Sequence, residues 1–455
     1  MEMILEFLRD ILSQPALLIG IMSCVGLIAL KRPFHKIMTG TLKPILGYLM
    51  LAAGAGVIVS NLDPLGKMIE HGFHITGVVP NNEAIVAVAQ KVLGVETMSI
   101  LVVGLLMNLF IARFTKFKYV FLTGHHSLFM ACLMSAVLGT AGLSGIELIL
   151  VGGFLMGAWS AISPAIGQSY TSKVTDGDEI ALGHFGSLGY YLSAWVAKYV
   201  GKAEESTEDI EIPEKWGFLR DSTLSTALTM IVFYLIAAIA AGSEFVATLS
   251  GSMSPYLFAI MSAMNFAVGV AIVYSGVRMI LGDLIPAFQG IATKIIPNAI
   301  PAVDCAVFFT YAPTAVVLGF ISSFIGGIIG MLILGAVGGV LIIPGLVPHF
   351  FCGATAGIYG NATGGRRGAA VGAFLNGLAI TFLPALALPV LGQLGFQNTT
   401  FGDADFAVMG LVLGNAFEWI GMAGIYGVVV IAALVLIIPN FIKTKGKVIN
   451  YVEEE

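Results

Sequence analysis

Charge is what this sequence has least of. Charged side chains make up 11% of the 455 residues, where a soluble domain carries roughly 25%, so a freely soluble globular protein is excluded. The formal net charge of −5 offers no basic surface for nucleic acid. Cysteine is scarce too: Cys24, Cys132, Cys305 and Cys352 stand among apolar residues without metal-ligand spacing and read as small packing residues. No Walker-type phosphate loop, nucleophile elbow or metal-ligand cluster occurs, so no self-contained catalytic machinery, metal or other cofactor is expected. The stretch Met1 to Pro15 carries acidic residues and no small-residue cleavage site behind an apolar core, unlike a signal peptide.

What is present is hydrophobic: 57% of the chain, gathered into runs from residue 15 to residue 440. Most suffice to cross a bilayer core of about 30 Å, which takes ~20 helical residues. The expected fold is therefore all-α and polytopic, with about eleven transmembrane helices. Lysine and arginine gather in alternate connections: Lys31, Arg32, Lys36 and Lys43, then Arg113, Lys116 and Lys118, then Lys198, Lys202, Lys215 and Arg220. Arg366 with Arg367 and Lys443 to Lys447 complete the set. The positive-inside rule then puts the N-terminus outside and the C-terminus in the cytoplasm. The acidic stretch from Gly201 to Asp221 reads as a solvated cytoplasmic linker. It divides the chain into 1–200, 201–221 and 222–455.

The two long parts repeat one another. Asn61-Leu62-Asp63-Pro64 returns as Asp283-Leu284-Ile285-Pro286, and Pro80 with Glu83 returns as Pro301 with Asp304. The interval from Asn61 to Glu83 equals that from Asp283 to Asp304 to within one residue, and histidines follow at comparable distances, His125 and His349. Such doubling marks transporters in which two structural repeats and their broken helices meet at one site. The polar, proline-bearing stretches near 61–94 and 283–305 are expected to be irregular or hairpin segments.

An ionisable group inside an apolar run costs about 2.5–3.5 kcal/mol on insertion scales, which makes a functional role its default reading. Asp304 is the leading candidate, with capping of a broken helix as the structural alternative. Glu83 is its repeat partner, although it stands beside Asn81 and Asn82. His125, His126 and His184 are imidazoles beside small residues, able to donate one hydrogen bond and accept another, as a polyhydroxylated ligand requires; core packing is the alternative for each. Adjacent helical positions diverge by about 100°, so one of His125 and His126 is expected to face a cavity and the other to make a structural contact. Glu418, inside the last apolar run, reads equally as a functional group and as an interhelical hydrogen-bonding group.

At these residues the chain resembles the membrane permease component, enzyme IIC, of the bacterial sugar phosphotransferase system, of the L-ascorbate type within the ascorbate/galactitol superfamily. The matching segments are Leu122-Thr123-Gly124-His125, Val174-Thr175-Asp176-Gly177, Gly183-His184, Ala302-Val303-Asp304-Cys305-Ala306 with Ala312-Pro313, Leu341-Ile342-Ile343-Pro344-Gly345 and Gly201-Lys202-Ala203-Glu204-Glu205-Ser206. The resemblance implies an inner-membrane homodimer with inverted repeats, a scaffold domain and a mobile core domain moving as an elevator. It also implies soluble IIA and IIB phosphocarriers, with the phosphoryl group on a IIB cysteine, so that the permease is not an enzyme by itself. His125, His184 and Asp304 would line the sugar site together with Asn82 and Glu83. Ascorbate-binding members carry glutamine where this chain has Phe129 and Phe185, and His126 would then supply a compensating donor. Asp304 or Glu83 would be the general base for the sugar hydroxyl. The expected substrate is L-ascorbate or a related sugar acid; a polyol such as galactitol, or an ion-coupled secondary transport mechanism, is the alternative.

Overall fold

The computed structural model describes residues 11, 14–74, 77–80, 82–210, 222–392 and 399–441. Long apolar helices dominate it: α1 (Pro15–Ala29), α2 (Phe34–Gly72), α3 (Asn82–Phe114), α4 (Gly124–Thr140), α5 (Gly145–Thr175), α6 (Ser187–Val200), α7 (Ser222–Ala241) and α8 (Ser243–Ser250). They continue with α9 (Pro255–Lys294), α10 (Pro313–Ala336), α11 (Leu346–Gly392), α12 (Ala404–Ile420) and α13 (Met422–Phe441). Between them lie five strands of two to four residues, β1 (Val79–Pro80), β2 (Tyr119–Phe121), β3 (Ala181–Leu182), β4 (Ile300–Val303) and β5 (Thr399–Thr400), and a 3₁₀ turn at Cys305–Thr310.

Among the described residues seven helices are long and apolar enough to cross a membrane, or eight if α7 and α8, bent by 117°, form one span. The chain is thus a multi-pass helical membrane protein. Eleven apolar runs do not become eleven such helices, for local reasons. α4 has only 17 residues. α11 counts as one span, yet Gly364 and Gly365 leave the helical region, the latter at φ +59°, a left-handed setting that glycine adopts without strain.

The proline-bearing repeat motifs also fall differently from expectation. Asn61 to Pro64 and Asp283 to Pro286 lie inside α2 and α9, both of which run on past them. The irregular backbone is confined to the short connections that follow, where the strands are.

α2 and α9 pack antiparallel through glycines. A Cβ on Gly276 would stand 2.6 Å from the Gly47 carbonyl oxygen, and one on Gly54 would stand 2.7 Å from the Gly269 carbonyl oxygen. The offset that carries Asn61 onto Asp283 also carries Gly47 onto Gly269 and Gly54 onto Gly276. Each glycine therefore meets the repeat counterpart of the other, as in a two-fold-symmetric interface. Small residues of this kind let helix backbones approach closely in a bilayer.

The strands carry the same relation further. β4, from the second half of the chain, lies between β2 and β3 of the first, all parallel. Reciprocally, β1 of the first half pairs with β5, and the adjoining Val78 pairs with Ile342, both from the second half and both parallel. Each half lends its first strand to the other. Pro301 is tolerated in the central strand because β3 begins pairing only at Ala302, so the missing N–H faces no partner strand.

The acidic stretch after α6 is less free than a solvated linker. Thr207 N–H donates to Asn361 Oδ1 at 2.8 Å, and Arg366 N–H donates to the Glu205 carbonyl at 2.8 Å, beside the glycine break in α11. The Glu208 carboxylate accepts from the Thr314 and Ala315 N–H groups at the start of α10. The remainder of that expected linker, 211–221, lies outside the described residues.

Replacing Gly54 or Gly276 by valine is expected to lower stability by about 1–3 kcal/mol, the usual range for overpacking. Gly56, where an added methyl group would meet nothing within 4 Å, should accept alanine without loss. Thermal unfolding of the detergent-solubilised variants measures the difference.

Candidate functional site

In parallel strands a chain that leaves one strand enters the next helix at the same end, so side chains at those junctions converge. Here β1 leads into α3, β2 into α4, β3 into α6, β4 into the 3₁₀ turn and β5 into α12, while Ile342 precedes α11. A cavity of about 710 Å³ opens at these junctions, lined by Asn82, His125, His126, His184, Asp304 and Asp403 and closed on another side by Tyr48, Leu51 and Leu62 of α2. Asp304, Asp403, His126 and His184 are only 4% to 7% exposed. They remain in contact with the cavity nonetheless. Asp403 stands at the N-terminus of α12 and Asp304 at that of the 3₁₀ turn, where the exposed N–H groups carry partial positive charge.

Asp304 makes the capping contact considered for it and also borders the cavity. Its Oδ1 accepts from Ala306 N–H at 3.1 Å, capping the 3₁₀ turn, and its Oδ2 lies 3.4 Å from His125 Nε2. On the far side of that ring Tyr48 hydroxyl is 3.1 Å from Nδ1. With the tyrosine donating, the neutral ring carries its proton on Nε2 and presents it toward Asp304.

Backbone N–H groups choose the tautomer of the other two imidazoles. Gly186 N–H donates to His184 Nδ1 at 3.0 Å, with Tyr190 hydroxyl 2.9 Å from the same nitrogen. Phe185 N–H donates to His126 Nδ1 at 3.3 Å. Both neutral rings then keep their proton on Nε2 and act there as hydrogen-bond donors. The rings lie side by side, 3.8 Å between centroids. This chemistry disfavours a metal, although ligand atoms of His126, His184 and Asp403, and of His184, Asp304 and Cys305, lie within 4.8 Å of one another. An Nε2 bearing a proton has no lone pair to give, and each Nδ1 is occupied.

The expected division of His125 and His126 is met in part: the His125 side chain is 38% exposed, whereas His126 is buried and accepts from the Phe185 N–H. Both line the cavity, because they sit in the first turn of α4, where the helix end rather than one face borders the open space. His349 is not among the lining residues: its Nδ1 lies 2.9 Å from Ser323 Oγ and its ring packs on Phe324. Phe129 borders the cavity, whereas Phe185 is fully buried and stacks on Phe121 at 4.6 Å. Glu418 lies exposed near the end of α12. Glu83 is the second residue of α3, but its side chain lies outside the described residues. Cys305 and Cys352 are buried as expected, yet Cys305 borders the cavity and the Cys352 thiol donates to Asp403 Oδ1 at 2.9 Å.

The most consequential residue overlooked in the sequence is Asp403. Asn82 Nδ2 donates to its Oδ2 at 2.6 Å, and Gly402 N–H donates to Asn82 Oδ1 at 2.9 Å. A signal existed: Gly402-Asp403 comes one residue after β5, much as Gly183-His184 comes directly after β3. Nearby, Asp405 is buried and holds the His184 turn in place. It accepts from Ser187 Oγ at 2.7 Å, Leu188 N–H at 2.9 Å and Trp159 Nε1 at 3.1 Å, while its own N–H donates to the Phe185 carbonyl at 2.9 Å.

Comparison with known proteins bears on this arrangement. An ascorbate-specific PTS system EIIC component of Mycoplasma pneumoniae is 26% identical over 417 residues, covering 78% of this chain. The match spans 62% of that relative's length. The profile of the EIIC-GAT family, described as the PTS system sugar-specific permease component, matches residues 10–405. With most of its length matched, the chain belongs to the EIIC-GAT family of sugar-specific permease components, which are transport subunits rather than self-contained enzymes.

Proposed function

We propose that this protein is the translocating subunit of a phosphoenolpyruvate-dependent phosphotransferase system for L-ascorbate or a related sugar acid. One observation carries the reading: three imidazoles and Asp304 meet at the strand-to-helix junctions in one open cavity with a mainly apolar wall. Nε2–H donors and a carboxylate acceptor suit a ligand rich in hydroxyl and carbonyl oxygens. The ascorbate specificity of the Mycoplasma pneumoniae relative supports the same substrate here. A polyol such as galactitol is the second reading, favoured by Phe129, whose phenyl ring stands in the cavity wall where ascorbate-binding members carry an amide.

In this proposal the substrate enters from outside and leaves phosphorylated, the phosphoryl group arriving from a IIB partner recharged by IIA. The chain would sit in a bacterial inner membrane as a homodimer, N-terminus outside and C-terminus cytoplasmic. The segments 1–200 and 222–455 would form the two inverted halves, and part of each would travel as a core against a stationary scaffold. Asp304 or Glu83 would receive the proton of the attacking hydroxyl. That role requires a carboxylate held in a water-poor setting, consistent with the burial of Asp304.

Two outcomes are expected. Labelled L-ascorbate should bind the purified protein and be displaced by unlabelled ascorbate at lower concentration than by galactitol; the reverse order would transfer the assignment to the polyol. Uptake into vesicles should require phosphoenolpyruvate and the soluble phosphocarriers. Uptake driven by an imposed proton or sodium gradient without them would establish the ion-coupled alternative instead. Separately, Asp304→Asn should weaken binding by about tenfold or more, as loss of a charged hydrogen-bond acceptor does, and slow phosphorylation further. Normal binding and normal phosphorylation in this variant would remove Asp304 from both roles.

A further inference from the structure

The two halves contribute to the cavity by the same rule, and one position of that rule has no role yet. The first strand of each half leads to a polar side chain: β4 runs directly into Asp304, and two residues beyond β1 stands Asn82, next to Glu83, the counterpart of Asp304 in the sequence repeat. The last strand of each half leads to a Gly-X pair: β3 directly to Gly183-His184, and β5, with Phe401 between, to Gly402-Asp403. Because the first strands are exchanged, each of the former meets the latter from the opposite half. Asp304 lies beside His184, their ligand atoms within 4.8 Å. Asn82 lies beside Asp403, joined by the 2.6 Å hydrogen bond. These two contacts are quasi-equivalent, one pairing a carboxylate with an imidazole and the other pairing a carboxylate with an amide.

We propose that Asp403 is the second carboxylate that grips the transported molecule, oriented by Asn82, so that the ligand is held between Asp304 and Asp403 with imidazole donors between them. The inference rests on the reading of the cavity as the sugar site. Asp403 is 5% exposed and lines the cavity, and among the described residues no lysine or arginine is paired with it. Its close neighbours are the Asn82 amide, the Cys352 thiol and, at 3.9 Å from Oδ1, His184 Nδ1. That nitrogen already accepts from Gly186 N–H, so it brings no proton to the carboxylate. Each carboxylate oxygen has two lone-pair directions, which leaves Asp403 able to accept from a ligand hydroxyl. The substrate class follows: a molecule with hydroxyl donors at two separated positions and oxygen acceptors between them. A ligand with a single hydroxyl would engage one carboxylate only.

The test uses the full-length protein in detergent and the labelled ligand, L-ascorbate or galactitol, that the unsubstituted protein binds more tightly. Asp403→Asn is expected to weaken binding by about ten- to hundredfold. The exchange Asn82→Asp with Asp403→Asn rebuilds the side-chain pair with its polarity reversed and moves the charge. It should restore the ligand-free melting temperature and leave binding weak. If the exchange restores binding as well, or if Asp403→Asn binds within twofold of the unsubstituted protein, Asp403 is a structural partner of Asn82 and the proposal is wrong. Asp304→Asn run in parallel separates the two levels. Loss in Asp304→Asn with none in Asp403→Asn overturns this inference alone. An unsubstituted protein that binds neither ligand overturns the sugar-site reading and this inference with it.

Discussion

Non-helical backbone at membrane depth is tolerable only where its N–H and C=O groups find partners inside the protein. Everything distinctive here depends on that constraint. The cavity needs helix ends, helix ends need connections, and those connections must carry their own hydrogen bonds. Short parallel strands meet the requirement: Leu122 N–H donates to the Ala302 carbonyl at 2.9 Å, Gly183 N–H to the Val303 carbonyl at 2.7 Å and Val78 N–H to the Leu341 carbonyl at 2.8 Å. Because pairing is parallel within each of the two sheets, the helices that follow the strands of one sheet begin at the same end of it. A set of helix N-termini with their first side chains is therefore the geometric product of satisfying the backbone.

The polar residues at those junctions are tightly specified for the same reason. Backbone N–H groups take the Nδ1 lone pairs of His126 and His184, and Asp405 ties the turn between β3 and α6 to α5 and α12. The imidazoles thus meet the cavity as oriented donors rather than as freely rotating side chains. Preorganisation of this kind reduces the entropy lost when a flexible polyhydroxylated ligand is bound.

Asp304, His125 and His184 are readable in the sequence because a charged or imidazole group among apolar neighbours has few innocent explanations. The repeat is readable from Asp283 to Pro286, although its prolines lie within long helices. What stays hidden is non-local. Strands of two residues, such as Ala181–Leu182 and Thr399–Thr400, are too short to show alternation, so nothing local announces that the halves trade strands. Asp403 escapes notice because a polar stretch ahead of an apolar run looks like an ordinary loop. Glu418 draws notice because hydropathy does not tell the buried end of a helix from its exposed end. Counting spans suffers likewise from breaks, such as Gly364 and Gly365, that leave the surrounding run apolar.

The reciprocal exchange of first strands has a consequence for biogenesis. As the chain leaves the ribosome, Val78 and β1 emerge long before Ile342 and Thr399, their eventual partners. β2 and β3 likewise wait for β4. Until those partners are made, the edges of β1, β2 and β3 lack the strands that pair with them. Neither half attains its native interior until the other has been synthesised, and the cavity is among the last parts of the molecule to come into being.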